Sequence, residues 1–322
     1  MNPSRICILL ATYNGEKYLS EQLLSLQNQT LQDWTLIVRD DGSTDGTVEL
    51  VANLAANDTR ITLLVPDGAG GLGAAQNFGK LMEAGLQTDA QIFFFCDQDD
   101  VWEAVKLERQ VLDFPGHGGE VSPLLVHSDL SVVDEDLVPI HPSLADHMAL
   151  DASPDRPLNC LLTRNFVTGC ATACNRRLLE QATPIPNAAI MHDWWLALIA
   201  ASSGAIRYIN EPLVKYRQHE ANTIGATGFW HLLSPRRNWA RIWQAGNGEF
   251  LATFEQAAGL LDHAGAHHDW PEANTALINS YSQLLTLSAA KRLSAAKKLG
   301  LRQGEALLKL VYYLRLLTLK VD

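Results

Sequence analysis

Short apolar runs alternate with amphipathic stretches along the first hundred residues of the chain. The apolar runs are RICILLA, TLIV, ITLLV and IFFFC, and helical patterns such as EKYLSEQLLSLQNQ and AAQNFGKLMEAGL lie between them. Continuous apolar runs separated by amphipathic helices are typical of βαβ units, in which helices cover both faces of a parallel sheet. The pattern therefore predicts an α/β fold with a Rossmann-like, mostly parallel sheet.

The pattern changes further along the chain. LLVHSDLSVVD predicts more strand, HDWWLALIAAS a buried helix, and AIRYI and PLVKYR two more short strands. After Gly228 only helical patterns remain, from FWHLLSPRRNWARIW to EALLKLVYYLRLLTLK. We therefore predict an α/β domain over residues 1–228, with halves of about 1–100 and 101–228, and a helical C-terminal extension over 229–322.

Charge divides the chain in a similar way. The 322 residues carry 25 Lys and Arg against 36 Asp and Glu, a net charge of −11, so we expect no nucleic-acid partner. Residues 229–322 nevertheless contain eleven basic and seven acidic residues, and residues 291–322 contain eight and two. An acidic body with a basic tail indicates two separate roles.

Cysteine usage and the N-terminus bear on the compartment. The five cysteines are scattered and lie mostly in apolar runs, which predicts core residues in a reducing compartment. The run ICILLA is too short for a signal-peptide core, and no run approaches the ~18 apolar residues of a transmembrane helix. We expect a cytoplasmic protein.

Three polar clusters follow predicted strands. ATYNG follows the first strand, RDDGSTDGT the second and CDQDD the fourth. Ligands of open parallel sheets bind beyond the carboxyl ends of the strands, so three clusters at one sheet edge predict a binding site. The alternative is that these residues only form turns, because loops favour these residue types. In that case Asp45 would simply cap a helix.

The pair Asp97 and Asp99 has the spacing of two carboxylates that grip one hard divalent cation, such as Mg²⁺ or Mn²⁺. Without a cation, adjacent acids repel each other and one tends to stay protonated. A D-x-D triplet is common by chance, and its position at a strand end is what makes it a candidate metal site.

Five segments in order resemble the family 2 glycosyltransferases of the GT-A fold, and most closely their rhamnosyltransferase branch. They are ATYNGEKYLSEQLLSLQNQT, RDDGSTDGT, FFFCDQDDVW, FVTGCATACNRRLL and HDWWLAL, and a YRQH element follows. The resemblance covers roughly residues 5–222. It implies a nucleotide-binding first half, an acceptor-binding second half and a nucleotide-sugar donor.

The resemblance also implies roles for individual residues of the donor site. It places the donor nucleotide among Thr12, Tyr13, Asp40, Asp41, Asn77 and Asp97. It assigns the metal to Asp97 and Asp99, with Asp99 as the direct ligand, and to His219 of YRQHEAN. Asp100 leaves the exact ligand set open, and the alternative for His219 is a structural loop residue. Imidazole together with carboxylates suits Mn²⁺ slightly better than Mg²⁺.

Asp193 matches the position of the family's catalytic base. An inverting transfer needs a carboxylate that accepts the proton of the attacking hydroxyl. The alternative reading, that Asp193 begins a helix, is compatible with this role because the helix dipole favours an ionised carboxylate. Trp194 and Trp195 could stack on the acceptor sugar, or they form a buried aromatic pair.

GAGGLG over residues 68–73 fits the dinucleotide-binding pattern G-x-G-x-x-G. It follows the third strand rather than the first, and Asp89 precedes the next strand instead of ending it, so we interpret it as a turn. His263 and His267 are four residues apart, but Gly265 and Pro271 indicate a helix end and a solvated loop there.

The basic tail combines Lys and Arg with Trp, Tyr and Leu, which suits helices that lie in a membrane interface. The alternative is a helical pair that packs on the catalytic domain or in a homo-oligomer. We therefore expect a peripheral enzyme on the inner face of the plasma membrane, with a saccharide or lipid-linked saccharide as acceptor.

The sequence thus predicts a metal-dependent inverting glycosyltransferase. The resemblance favours dTDP-rhamnose as the donor and cell-surface polysaccharide or lipopolysaccharide as the product. Two alternatives stay open: a sugar nucleotidyltransferase, and a catalytically inactive module that binds nucleotide sugars or lipid.

Overall fold

The structure, a computed structural model, describes residues 6–64, 71–114, 122–219, 239–266, 270–301 and 306–319. Its strands are β1 (Ile6–Thr12), β2 (Trp34–Asp40), β3 (Ile61–Leu63), β4 (Ile92–Cys96), β5 (Val101–Trp102), β6 (Leu124–Val133), β7 (Pro139–His141), β8 (Thr172–Asn175) and β9 (Ala205–Arg217). Its helices are α1 (Glu16–Gln27), α2 (Thr47–Asn57), α3 (Ala74–Gly85), α4 (Lys106–Val111), α5 (Leu144–His147), α6 (Pro157–Leu161), α7 (Arg176–Ala182), α8 (His192–Ser203), α9 (Trp239–Ala266), α10 (Glu272–Ser282), α11 (Ala289–Lys298) and α12 (Ala306–Thr318).

The described strands form one mixed sheet in the order β3-β2-β1-β4-β8-β6-β9-β5, and β7 pairs with β6. The first four are parallel, as the alternating pattern predicts. Thr12 pairs with Asp40 and Leu10 with Cys96, so β1, β2 and β4 end at one edge. The polar clusters that follow these strands therefore meet there.

The second half of the sheet departs from the parallel pattern. β8 runs antiparallel to both β4 and β6, and β5 runs antiparallel to β9. The prediction of two short strands, AIRYI and PLVKYR, was wrong, because β9 is continuous. Its register against β6 shifts between Ile209 and Pro212, and such an irregularity accommodates a proline within a strand.

Alternating side chains of the central strands build two apolar cores, one on each face of the sheet. On β4, Phe93 and Phe95 face one core, whereas Ile92, Phe94 and Cys96 face the other. Both sets are fully or almost fully buried because parallel strands are covered on both faces. All five cysteines are buried, as expected of core residues.

The helices of the C-terminal extension share the first of these cores. Phe254 of α9, Tyr281 of α10 and Leu316 of α12 belong to the same apolar cluster as Phe93. Polar contacts add to the packing, since Gln256 accepts a hydrogen bond from the backbone N–H of Ile190 at 2.9 Å. Helices α9 and α10 therefore pack on the catalytic domain, which was the alternative to membrane association in the sequence interpretation of the extension.

The domain boundary and the search for membrane-spanning helices both depend on which residues the structure describes. The boundary near residue 228 lies outside the described residues, so the division of the chain into 1–228 and 229–322 stays a prediction. Among the residues that are described, no helix combines the length and apolar character needed to cross a membrane.

Candidate active site

The ends of β1 and β2 are joined through the carboxylate of Asp40. Its Oδ2 accepts a hydrogen bond from Thr12 Oγ1 at 2.9 Å, and its Oδ1 accepts from the backbone N–H groups of Gly42 and Ser43 at 2.9 and 2.7 Å. Both side chains are buried. Thr12 and Asp40 therefore shape the floor of this edge, where the sequence predicts the donor nucleotide.

Asp41 and Asn77 lie in a second buried cluster, which is centred on Arg39. The guanidinium of Arg39 donates to Asn77 Oδ1 at 2.7 Å and to Asp41 Oδ1 at 3.2 Å. Asp41 also accepts from the backbone N–H groups of Leu72 and Gly73 at 3.1 and 2.8 Å. The cluster holds the loop before α3, and it occupies two of the amides that a dinucleotide phosphate would need.

This arrangement supports the interpretation of GAGGLG as a turn. Gly71 and Gly73 have φ of +90° and +79°, a conformation that favours glycine. Residues 68–70 lie outside the described residues.

Gln98, the middle residue of the D-Q-D triplet, joins the loop after β4 to the loop after β1. Its Oε1 accepts from the backbone N–H of Tyr13 at 2.8 Å, and its Nε2 donates to the Tyr13 carbonyl at 2.9 Å. The Tyr13 ring is 55% exposed, so it is available to stack on a base. The clasp between Gln98 and Tyr13 thus connects the predicted base pocket to the predicted metal carboxylates.

Gly15 leaves the space that this clasp requires, because a Cβ at this position would overlap the Gln98 carboxamide. We expect Gly15→Ala to displace Gln98, break both hydrogen bonds to Tyr13 and raise the KM for the donor about tenfold, since each hydrogen bond contributes roughly 1 kcal/mol. Donor KM values of Gly15→Ala, Gln98→Ala and the double variant test this.

The double variant should be no worse than either single variant, because both remove the same clasp. Gly248→Ala is the matched control, since a Cβ there meets no atom within 4 Å. Additive losses in the double variant would contradict the clasp.

Asp99 and His219 are brought together across the site, although 120 residues separate them. Nε2 of His219 lies 2.8 Å from Oδ2 of Asp99. Ligand atoms of one octahedral Mg²⁺ or Mn²⁺ ion lie about 3 Å apart, because each metal–oxygen bond is 2.0–2.1 Å long. The pair therefore has a spacing that suits two ligands of one ion.

Arg217 anchors the segment that carries His219. Its Nε donates to the Asp99 carbonyl at 2.8 Å, and its backbone N–H donates to Asp100 Oδ1 at 3.1 Å. Its guanidinium also contacts Glu21 in an ion pair and lies 4.6 Å from the centre of the Tyr18 ring. The YRQH element is therefore tied directly to the D-Q-D-D turn.

Asp97 and Asp100 lie together with Cys170, and we call these three residues the acidic cluster. One ligand atom of each residue lies within 4.8 Å of the others. Burial and the charge of Asp99 raise the pKa of Asp100 to about 7, and burial with the charges of Asp100, Asp99 and Asp193 raises the pKa of Asp97 well above its usual range. The sequence interpretation of the five cysteines as core residues did not predict that Cys170 lies beside these carboxylates.

The acidic cluster fits a divalent cation. Oδ2 of Asp100 is buried, and no nitrogen or oxygen donor of the described residues bonds to it, although the weakly donating Cys170 thiol lies beside this carboxyl. A buried carboxylate oxygen without a donor is costly, and a cation removes this cost together with the repulsion between the acids. The residues present are therefore compatible with a metal at the D-Q-D-D turn.

Lys106 lies buried behind the same turn. Its ammonium group contacts Gln110 Oε1 and lies 4.5 Å from the centre of the Trp102 ring. Burial lowers its pKa to about 7, opposed by the nearby Cys170, Cys96 and Asp100. Gln110 in turn donates to the carbonyl of Ala171 at 2.9 Å, so this pair supports the backbone that carries Cys170.

Asp193 lies in the first turn of α8, and its side chain is 8% exposed. Burial raises the pKa of its carboxyl to about 6, opposed by hydrogen bonds from the backbone N–H groups of Trp194 and Gly169 and from the Asn165 side chain. The Trp194 bond measures 2.6 Å. A Cβ on Gly169 would lie 3.6 Å from the Cβ of Asp193, and Gly169 precedes Cys170, so the candidate base lies close to the acidic cluster. The charge of Asp193 also contributes to the raised pKa of Asp97.

The two tryptophans have different environments. Trp195 is fully buried and donates from Nε1 to the Ala182 carbonyl at 3.1 Å, so its assignment to the acceptor region is corrected to a core residue. Trp194 is partly exposed and donates to the Leu161 carbonyl at 2.7 Å. Only Trp194 of the pair keeps a surface for an acceptor.

Comparison with known proteins gives the family. The sequence profile of Glycosyl transferase family 2 matches residues 7–181, which is more than half of the chain. The chain belongs to glycosyl transferase family 2. The matched segment of this family 2 glycosyltransferase includes the D-Q-D-D turn and ends before Asp193 and His219.

Two curated relatives illustrate the range of the family. The glycosyltransferase is 26% identical over 225 residues to the dTDP-rhamnosyl transferase RfbG of Shigella flexneri, a match covering 67% of this chain and 74% of that one. It is 35% identical over 111 residues to the UDP-Glc:alpha-D-GlcNAc-diphosphoundecaprenol beta-1,3-glucosyltransferase WfgD of Escherichia coli. That match covers 34% of this chain and 41% of the relative.

Solved structures show the fold. The S. aureus TarS 1–349 structure matches 97% of this chain and 90% of its own, with a TM-score of 0.58 and 15% identity. The same protein in complex with UDP-GlcNAc matches with a TM-score of 0.54 and 14% identity. The fold of this family 2 glycosyltransferase is therefore the GT-A fold, with helices added at the C-terminus.

Proposed function

We propose that this family 2 glycosyltransferase is a metal-dependent, inverting enzyme of cell-surface polysaccharide or lipopolysaccharide synthesis. One observation carries the proposal: Asp97, Asp99 and Asp100 lie at one sheet edge, and the separate helix α8 places Asp193 against Gly169, which precedes Cys170 of the acidic cluster. An acidic cluster beside an isolated buried carboxylate suits a metal-bound diphosphate next to a general base.

In the proposed mechanism the chain's own residues hold the donor and move one proton. The Tyr13 ring stacks on the base, while Asp40, Asp41 and Asn77 keep the surrounding loops in place. Asp193 accepts the proton of the acceptor hydroxyl as its oxygen bonds to the anomeric carbon, and the bond from that carbon to the diphosphate breaks on the opposite side.

The metal site follows from the same residues. Asp99 and His219 would hold Mg²⁺ or Mn²⁺, with Asp97 and Asp100 beside them. Such an ion supplies positive charge that neutralises the leaving diphosphate. Because the described cluster combines carboxylates with an imidazole, Mn²⁺ is the better match.

We propose dTDP-β-L-rhamnose as the donor and a saccharide on a lipid carrier or lipopolysaccharide core as the acceptor. The similarity to RfbG, named a dTDP-rhamnosyl transferase, supports the donor, and the similarity to WfgD, whose name includes a diphosphoundecaprenol acceptor, supports the lipid carrier. Such an acceptor places the enzyme at the cytoplasmic face of the plasma membrane.

A donor panel tests this proposal. Purified protein is incubated with dTDP-rhamnose, UDP-glucose, UDP-GlcNAc and GDP-mannose, each with Mn²⁺ and a lipid-linked saccharide, and nucleotide release and product are measured. We expect dTDP release from dTDP-rhamnose and a product whose anomeric configuration by NMR is α. A β product would overturn inversion, and preference for another donor would overturn the rhamnose assignment.

The same panel separates the two alternatives. A sugar nucleotidyltransferase would form pyrophosphate from a sugar phosphate and a nucleoside triphosphate. An inactive module would bind a nucleotide sugar in the presence of the acceptor and release no nucleotide.

A further inference from the structure

The outward face of α12 carries a row of exposed leucines. Leu310, Leu314 and Leu317 are 53%, 41% and 40% exposed. Their spacing of four and three residues places them on one side of the helix. We call these three residues the leucine stripe. Tyr312 and Leu316, on the other side, are buried in the core.

The leucine stripe is held in place by the packing of the opposite, buried side of α12. The ring of Tyr312 lies 5.4 Å from that of Phe250 of α9, centre to centre. Arg292 of α11 donates to the Leu319 carbonyl at 2.9 Å, just after α12, and to the carbonyls of Leu287 and Leu285 at 2.8 Å each. The buried side of α12 is thus fixed to α9 and α11, and this leaves the stripe facing solvent.

The surroundings of the leucine stripe are basic. The sequences of α11 and α12 contain six Lys and Arg and no acidic residue, in a protein whose net charge is −11. Lys291, Lys297, Lys298 and Lys309 are exposed. Nζ of Lys297 lies 6.0 Å from the ring centre of Tyr313, which is on the helix beside the stripe. The apolar side chains are therefore bordered mainly by positive charge, and Glu249 of α9 is an acidic neighbour of Arg315.

We propose that the leucine stripe and the exposed lysines of α11 and α12 dock on an anionic lipid surface. The leucines enter the boundary between headgroups and acyl chains, and the lysines contact the phosphates. This rests on the proposed function in one respect: a lipid-linked acceptor gives the docking its purpose.

Charge decides between lipid and a second copy of the chain. A symmetric dimer through the leucine stripe would bring two basic surfaces of like sign together, which is unfavourable. An anionic surface is attracted by the same lysines. The remaining alternative is that the stripe contacts the acidic body of another copy. The experiment below distinguishes this contact from docking on lipid.

Vesicle co-sedimentation of the full chain tests the proposal. We expect binding to vesicles that contain phosphatidylglycerol and little binding to phosphatidylcholine alone. The triple variant Leu310→Ser, Leu314→Ser and Leu317→Ser should bind at least about tenfold more weakly. The pair Lys297→Glu and Lys298→Glu should also lose at least about tenfold, because each lysine near the surface contributes about fivefold.

Leu112→Ser is the matched control, because Leu112 is 72% exposed but lies next to α4 in the catalytic domain. It should bind vesicles like the unmodified protein. Unchanged binding by the triple variant, or equal binding to both kinds of vesicle, would overturn the proposal. If the unmodified protein were a dimer in lipid-free buffer and the triple variant a monomer, the stripe would be assigned to contact with a second copy instead.

Nucleotide release in solution separates this inference from the proposed function. The triple variant should release nucleotide from the donor at the unmodified rate, since none of its three leucines belongs to the acidic cluster. If the unmodified protein released none but still bound anionic vesicles, the proposed function would fail and the docking surface would stand.

Discussion

Asp193→Asn is expected to lower the kcat of transfer by about 10²- to 10⁴-fold, the range that a general base contributes. The substitution keeps the shape of the side chain, so the hydrogen bond from the Trp194 N–H at 2.6 Å can still be accepted by the amide oxygen. Donor binding should change little, because the role assigned to Asp193 concerns the acceptor hydroxyl. Transfer rates and donor affinity measured on one preparation check both expectations.

The pH dependence of kcat provides an independent test of the same residue. Burial raises the pKa of Asp193 to about 6, and a base acts only when it is ionised. Activity should therefore be full well above pH 6 and fall about tenfold per pH unit below it. The residual activity of Asp193→Asn should lack this acid limb.

Asp89→Asn is the control for Asp193→Asn, because Asp89 is exposed and precedes β4 at the opposite end from the site. It should transfer like the unmodified enzyme. Near-normal kcat in Asp193→Asn, or an unchanged acid limb, would remove Asp193 from the role of base.

Asp99→Ala has the second large expected effect, the loss of metal-dependent donor binding. Asp99 is the proposed direct ligand, and its removal also takes away the carboxylate oxygen that lies 2.8 Å from His219. We expect donor affinity in Mn²⁺ to fall at least about a hundredfold, since an ion held there would neutralise diphosphate charge and so contribute several kcal/mol. Calorimetric titration of donor with Mn²⁺, and with chelator, measures it.

Thermal unfolding gives a second readout for Asp99→Ala. A ligand that binds only the folded state raises the Tm, so Mn²⁺ should stabilise the unmodified protein more than the variant. Asp136→Ala, at an exposed aspartate between β6 and β7, should respond to Mn²⁺ normally. In chelator, we expect Asp99→Ala and the unmodified protein to bind the donor with equal affinity. In Mn²⁺, the unmodified protein should bind the donor more tightly than the variant.

The sequence was most informative about the elements that end at the site. β1, β2 and β4 are apolar runs, and their burial on both faces explains why each reads as a continuous hydrophobic segment. Because parallel strands end together, the polar residues after them can be placed at one edge from the sequence alone.

The contacts that organise this edge were not predictable in the same way. Gln98 contacts Tyr13 across 85 residues, and Arg217 contacts Asp99 across 118. No local pattern encodes such pairs, because they depend on the relative placement of separate strands. In the sequence Arg39 is recognisable only as a cation beside two aspartates, and its partner Asn77 lies on another element.

Tertiary context also decided between local alternatives. The interval Asn210-Glu211-Pro212 resembles a turn, yet β9 continues through it because a register shift against β6 absorbs the extra length. Asp45 was a candidate helix cap, but the N-cap of α2 is Gly46. The Asp45 carboxylate accepts from the N–H of Thr47, the first residue of α2, at 3.1 Å. It also accepts from the Glu16 N–H at 3.1 Å, which joins the first two loops.

Nucleotide release from dTDP-rhamnose with Mn²⁺ and then with excess chelator tests the central claim most directly. Water can replace the missing acceptor in slow hydrolysis, so the measurement does not depend on knowing the saccharide. Release that stops with chelator and resumes when Mn²⁺ is restored is the predicted result. Release that continues unchanged in chelator would contradict a metal-dependent transferase built on the D-Q-D-D turn.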